Sequence, residues 1–233
     1  MFLLAWEIAA RLAHSRLLPP FTSVFRVMLD EAQSGRLEHN LGVTLLRVGW
    51  AFAIAMVLGT ALGVAMGRSP AIDRLFDSPV TLLLNLPALV GIVLIFVWFG
   101  LSETTTIAAV ALNKFPATAV TMREGARAVE KRLLGMARSF GLSHRATWQH
   151  VILPQLSPYV FAAARAGFAL VWKIVLVAEL LGRSDGVGFQ IQVYFQLFDV
   201  TGILAYTLAF MAVVQAIEWA LVQPVERRIN RWR

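Results

Sequence analysis

Five side chains sit inside apolar runs where hydrocarbon disfavours them: Asn85, Lys114, Arg165, Lys173 and Glu179. An ionisable group in such a run costs a few kcal/mol or more, and it marks a solute pathway, a partner or a route back to water. Lys173 and Glu179 are six residues apart on one helix, so they point about 120° from each other and form no obvious pair. Arg165 and Lys173 are eight apart, about 80° net, and could share one broad cavity face. An excess of cations over Glu179 suits an anionic solute such as a sulfonate, nitrate or carboxylate. Snorkelling toward opposite water phases accounts equally well for Arg165 and Glu179, whereas Lys114 and Lys173 lie deeper. Covalent chemistry has little to work with. The chain has no cysteine, and His14, His39, His144 and His150 lack metal-ligand spacing.

The elements that must position these groups follow from composition. Of 233 residues, 58% are hydrophobic and 15% charged, with mean hydropathy +0.67. A soluble domain carries about 25% charged residues, so a soluble enzyme is excluded. The net charge of +7 is gathered between the apolar runs, which points to membrane orientation rather than nucleic acid. Five runs approach the roughly 20 residues that a crossing helix needs: Val48–Met66, Val80–Phe99, Thr104–Met122, Pro158–Leu181 and Ile203–Val222. They predict an all-α polytopic membrane protein. Asn85, Pro87 and Gly91 interrupt the second run, and Asn113 with Pro116 the third. Gly59 and Gly63 form a GxxxG spacing that favours close packing within the chain. Residues 1–40 read as a peripheral segment, with an interfacial or partial helix near the start and a loop plus short polar helix over 19–38. Arg68 and Arg74, then Arg123, Arg127, Lys131, Arg132, Arg138 and Arg145, then Arg227, Arg228, Arg231 and Arg233 stand against Arg183 alone on the other side. The 67–79 and 123–156 loops and the C-terminus are therefore expected in the cytoplasm.

The longest of these loops carries a helical stripe, Leu133, Leu134, Ala137, Phe140 and Gly141. Gly141 suits a left-handed helix end. Ser143 can cap a second short helix over His144–Ile152, which Pro154 should end. Taken alone, this pair fits either an interfacial rest on anionic lipid or a lever docked into a partner.

The spacing Ala137-x3-Gly141-x9-Val151-x-Leu153-Pro154 resembles the EAA motif of ABC importer permeases. Gly135 and Met136 stand where that motif usually has Glu and Ala, and Val151 where it has Ile. The stretches LLPPFTSV, HNLGVTLLRVGWAFAIAMVLGTALGVAMGRS, LIFVWFGLSE, ARSFGLSHRATWQHVILPQLSPYVFAAARAGFALVW and VAELLGRSDGVGF resemble the nitrate/sulfonate/taurine type. The resemblance implies a type I importer permease, MetI-like, with a five-helix transmembrane domain over 41–233 in a bacterial inner membrane. It implies ATPase coupling through helices at about 133–152, by Met136, Ala137, Phe140, Gly141, Trp148, Val151, Leu153 and Pro154. The implied partners are a second permease copy, two cytoplasmic ATPase subunits that bind ATP and Mg, and a periplasmic binding protein in addition to the bilayer. No cofactor and no nucleic acid are expected in this chain, which has no GxxxxGK[ST] phosphate loop. Similar permeases carry pyrimidine or other vitamin-precursor heterocycles, which stays open as the cargo. A channel would not need the lever, and an intramembrane enzyme would need His or Cys within the spans. The family usually places one more span before the LPP-like segment, whereas 18 residues precede Pro19 here. The expectation is either the five-helix core alone or a start internal to a longer chain.

Overall fold

The computed structural model describes residues 2–13, 15 and 17–224; His14, Arg227, Arg228, Arg231 and Arg233 lie outside the described residues. Regular structure among them is helical: α1 (Phe2–Ala13), α2 (Phe21–Gln33), α3 (Arg36–Arg68), α4 (Pro70–Asn85), α5 (Ala88–Phe99), α6 (Glu103–Arg127), α7 (Lys131–Ser139), α8 (His144–Thr147), α9 (Leu153–Gly182), α10 (Val187–Gln196) and α11 (Val200–Ile217). A π-helical turn, Trp148–Ile152, joins α8 to α9, and another, Glu218–Val222, prolongs α11.

By length and apolarity, α3, the run His144–Gly182 and the run Val200–Ala220 can each cross a membrane, and the bent pair α4–α5 is apolar enough for either a broken span or a re-entrant loop. The long helix α6 is not among these. Its 25 residues rise about 37 Å, but its composition is more polar. Its position explains that polarity: α6 is the central helix, enclosed by α3, α9, α5 and α4, so protein rather than lipid surrounds Thr106, Lys114 and Thr118. Small residues allow the enclosure. A Cβ on Gly59 or Gly63 would strike Thr118 or the Ala119 carbonyl of α6, so the GxxxG pair packs inside this chain.

Four local expectations need correction. The run Val80–Phe99 is not one helix, because α4 and α5 meet at a 102° bend. Pro87 holds the preceding Leu86 in an extended conformation, φ −70 and ψ 122, where a helix cannot continue. Conversely, α6 runs unbroken past Asn113 and Pro116. Pro154 also fails to stop its helix. Leu153 N–H bonds to the Trp148 carbonyl five residues back, and this widened turn lets the chain run straight into α9. Residues 19–38 are not a loop outside the core, since α2 packs on α11 and α3 and buries Val24 and Glu31. Lastly, a helix, α10, forms between the last two apolar runs, wedged against α9, α11 and α3.

Glu31 fastens α2 to its neighbours. It receives Arg36 Nε at 3.0 Å and Nη2 at 2.6 Å, Tyr206 Oη at 2.8 Å and Tyr194 Oη at 3.1 Å. The Arg36 guanidinium, helped by the two tyrosine hydroxyls, holds its carboxyl below the usual carboxylate range. The charged form is therefore favoured by folding. Its stabilisation is complete above the ordinary carboxylate pKa of about 4.3 and is lost as pH falls through the lowered folded-state value. Glu31→Gln should cost roughly 1–3 kcal/mol at neutral pH. Thermal unfolding in detergent should show the gap between wild type and variant narrowing below about pH 4. A gap that stays constant down the pH series would refute the ionised role.

Candidate coupling surface and buried charge network

The Gly141 turn and the Ser143 cap at one end of the bundle are built as their spacing predicts, although the second helix runs on past Pro154. Gly141 is left-handed, φ 65, and ends α7 with Leu142 N–H on the Ala137 carbonyl and Gly141 N–H on the Arg138 carbonyl, both at 3.0 Å. Ser143 Oγ accepts from Ala146 N at 3.2 Å and starts α8. The named coupling residues divide between two faces. Ala137 is buried, and Trp148 and Leu134 pack on the cluster of Met122, Ala126, Ile152 and Leu156. Arg68 from α3 lies over the Trp148 ring, 4.9 Å from its centroid. Met136, Phe140 and Leu153 point outward at 54%, 79% and 51% exposure, joined by Leu133 and Leu142. Val151 is half-buried, and both Gly141 and Pro154 are exposed. The outward set forms an apolar surface flanked by basic side chains, which a partner protein can cover.

At the opposite end, Arg47 of α3 is 1% exposed and every N–H it owns is used. Nε and Nη2 reach Glu103 at 2.7 and 2.8 Å. Nη1 reaches Glu179 at 2.8 Å and the Asp185 carbonyl at 2.9 Å, and Nη2 also bonds the Asp185 carboxylate. Glu179 in turn accepts from Thr44 Oγ1 at 2.9 Å and Gly188 N at 2.9 Å. Asn40 and Thr44 accept the Gly186 and Val187 amides. Arg183 adds a 2.6 Å bond to Glu103. Gly186 (φ 105) and Gly188 let the 183–188 turn close over Glu179, since a Cβ on either would overlap it. One cluster thus fastens α3, α6, α9 and the start of α10. Burial this complete requires such full pairing.

The pathway candidates are not brought together. Glu179 is spent in this network, with no face left toward a passing solute and no freedom to snorkel. Asn85, beside the α4–α5 bend, turns its amide back to the Thr81 carbonyl at 2.8 Å. Arg165 and Lys173 stand on exposed sides of α9, and Lys114 is buried between α6 and α9. Sequence reading missed Glu103, Asp185, Asn40, Arg47 and Thr44 as members of this network. A signal was present. Three of the family-like stretches place ionisable residues at the same end of a span, Arg47 in one, Glu103 in the next and Glu179, Arg183 and Asp185 in the third, with both signs represented.

The family model for the inner membrane component of binding-protein-dependent transport systems matches residues 41–230. The chain belongs to this family. Among its relatives, the taurine transport system permease protein TauC of Escherichia coli K12 is 28% identical over 97% of this chain and 84% of its own length. The putative aliphatic sulfonates transport permease protein SsuC of the same strain is 30% identical over 97% and 87%. A solved amino acid ABC transporter chain superposes with TM-score 0.69 at 22% identity, covering 86% of this permease and 98% of that chain. That likeness concerns the fold alone, the type I importer arrangement. The permease is thus a multi-pass inner-membrane subunit of an ABC importer, working with a binding protein and with a separate subunit that hydrolyses ATP. It is not itself an enzyme.

Proposed function

We propose that this permease imports a small anion of the taurine and aliphatic sulfonate type. The similarity to TauC and SsuC over 97% of the chain carries the reading, and the cations Lys114, Arg165 and Lys173 agree with it. Two copies would frame the pathway, with the α7–α8 surface of each received by one of two ATPase subunits and a periplasmic binding protein delivering cargo at the Arg47 end. Basic residues in the 67–79 and 123–156 loops support a cytoplasmic α7 end and a cytoplasmic C-terminus. ATP-driven displacement of α7 and α8 would pass directly into α9, because the helix is continuous from His144 to Gly182. Glu179 acts here as a positioning residue, and Asn85 marks the α4–α5 bend beside the pathway. The test is uptake by the reconstituted complex of permease, ATPase and binding protein. Taurine or an alkanesulfonate should enter in an ATP-dependent way and outcompete a neutral pyrimidine. Import of the pyrimidine without the sulfonate would replace this reading.

A further inference from the structure

Most buried charged groups in this permease are paired, which makes one cation conspicuous. Lys114 is 2% exposed. It lies roughly midway along α6, about 16 Å of helix rise from Glu103 and about 20 Å from Arg127, at a depth where snorkelling to either surface fails. Arg47, Glu179 and Glu31 all have partners, but the Lys114 ammonium has no acceptor among the described residues. The packing is nonetheless shaped around it. Gly167 of α9 faces it, and a Cβ there would collide with Lys114 Cε, so the neighbouring helix gives up a side chain to admit this one. A second orphan lies further along the same helix. The Trp172 indole Nε1 is buried without an acceptor, its ring fixed edge-on between Phe168 and Phe210 at 4.8 and 5.5 Å. Two fully enclosed side-chain atoms among the described residues lack a partner, Trp172 Nε1 and Arg183 Nε, both donors. Around Lys114 and Trp172 the interior is short of acceptors.

We infer that Lys114 is the anion-selecting residue of the pathway, pairing with the acidic head of the cargo during transport. The inference rests on the proposed anionic cargo and adds the residue that recognises it. A sulfonate supplies three acceptor oxygens and the compensating charge. A neutral heterocycle would leave the ammonium as it stands, desolvated and unpaired. Arg165 and Lys173 differ in kind, because both lie on exposed sides of α9, where a partner or water can meet their charge.

The chain has no cysteine, so Lys114→Cys introduces its one thiol. In the assembled complex in nanodiscs, an anionic ethylsulfonate methanethiosulfonate reagent should modify that thiol in at least one nucleotide state. Taurine-loaded binding protein should slow the modification at least about fivefold. Lys114→Met removes a buried charge that nothing in the chain compensates, so folding and assembly with the ATPase should survive while taurine uptake falls at least about tenfold. Lys114→Gln should behave alike, and the cysteine result decides the matter if neither neutral variant assembles. Absence of labelling in every nucleotide state would overturn the inference. Wild-type uptake by Lys114→Met, beside a wild type that imports taurine, would overturn it alone. A wild type that imports a neutral pyrimidine and no sulfonate would remove the cargo reading and this inference with it.

Discussion

Arg47→Met should destabilise the folded permease by about 3–5 kcal/mol, the range for removing one partner of a buried ion pair. The cost arises from what remains. Glu179 is fully enclosed and would be left with only Thr44 and the Gly188 amide as partners, while Glu103 and Asp185 add like charge nearby. Two further variants separate this cause from simple loss of packing. Glu179→Gln in the Arg47→Met background should restore part of the stability, because the unpaired charge goes. Glu103→Gln alone should cost much less, since Glu103 is 48% exposed and water can replace its partner. Thermal unfolding of the detergent-solubilised chain provides the comparison as a double-mutant cycle. A double variant no more stable than Arg47→Met would show that the charge balance is not what holds α3, α6 and α9 together.

The same network shows where sequence reading reaches and where it stops. Apolar run length located α3, α9 and α11, because a lipid-facing helix must announce itself in composition. It gave less for α6, whose polarity is tolerated only because four helices surround it. Proline was informative through its effect on the preceding residue at Leu86. It misled at Pro154 and Pro116, where a widened turn and enclosure in the bundle let the helix continue. The turn at Gly141 was legible because a left-handed residue and a serine cap are local chemistry. The Arg47 cluster was not, since its members come from positions 40 to 188 and only the folded bundle sets them within bonding distance. For Glu179, a lone carboxylate near a span end reads as snorkelling or pathway until its cation is known. Residue types at the ends of spans, compared across spans for opposite sign, are the pattern that could have revealed it.

Phe140→Ala should release the ATPase subunit during purification while leaving the permease folded. Both halves of that expectation come from how the two faces of α7 and α8 divide. Phe140 is 79% exposed, with Met136, Leu133 and Leu142 also exposed around the turn, so truncating it removes no contact on which the bundle depends. An exposed aromatic of this kind, covered by a partner, typically contributes 2 kcal/mol or more to an interface, roughly thirtyfold in affinity. Trp148→Ala should act differently. It strips the ring under Arg68 and opens the cluster around Ile152 and Leu156, so it should lower the stability of the permease itself. The C-terminal tail is the rival anchor, since ERRINRWR is as basic as the loop. Rim charges chiefly alter association rate and salt dependence, so truncation after Glu226 should keep the ATPase bound at moderate salt. The readout is the permease-to-ATPase ratio after size exclusion at low and moderate salt, with thermal stability measured in parallel. Loss of the ATPase on truncation, together with its retention by Phe140→Ala, would move the coupling surface from the α7–α8 turn to the tail.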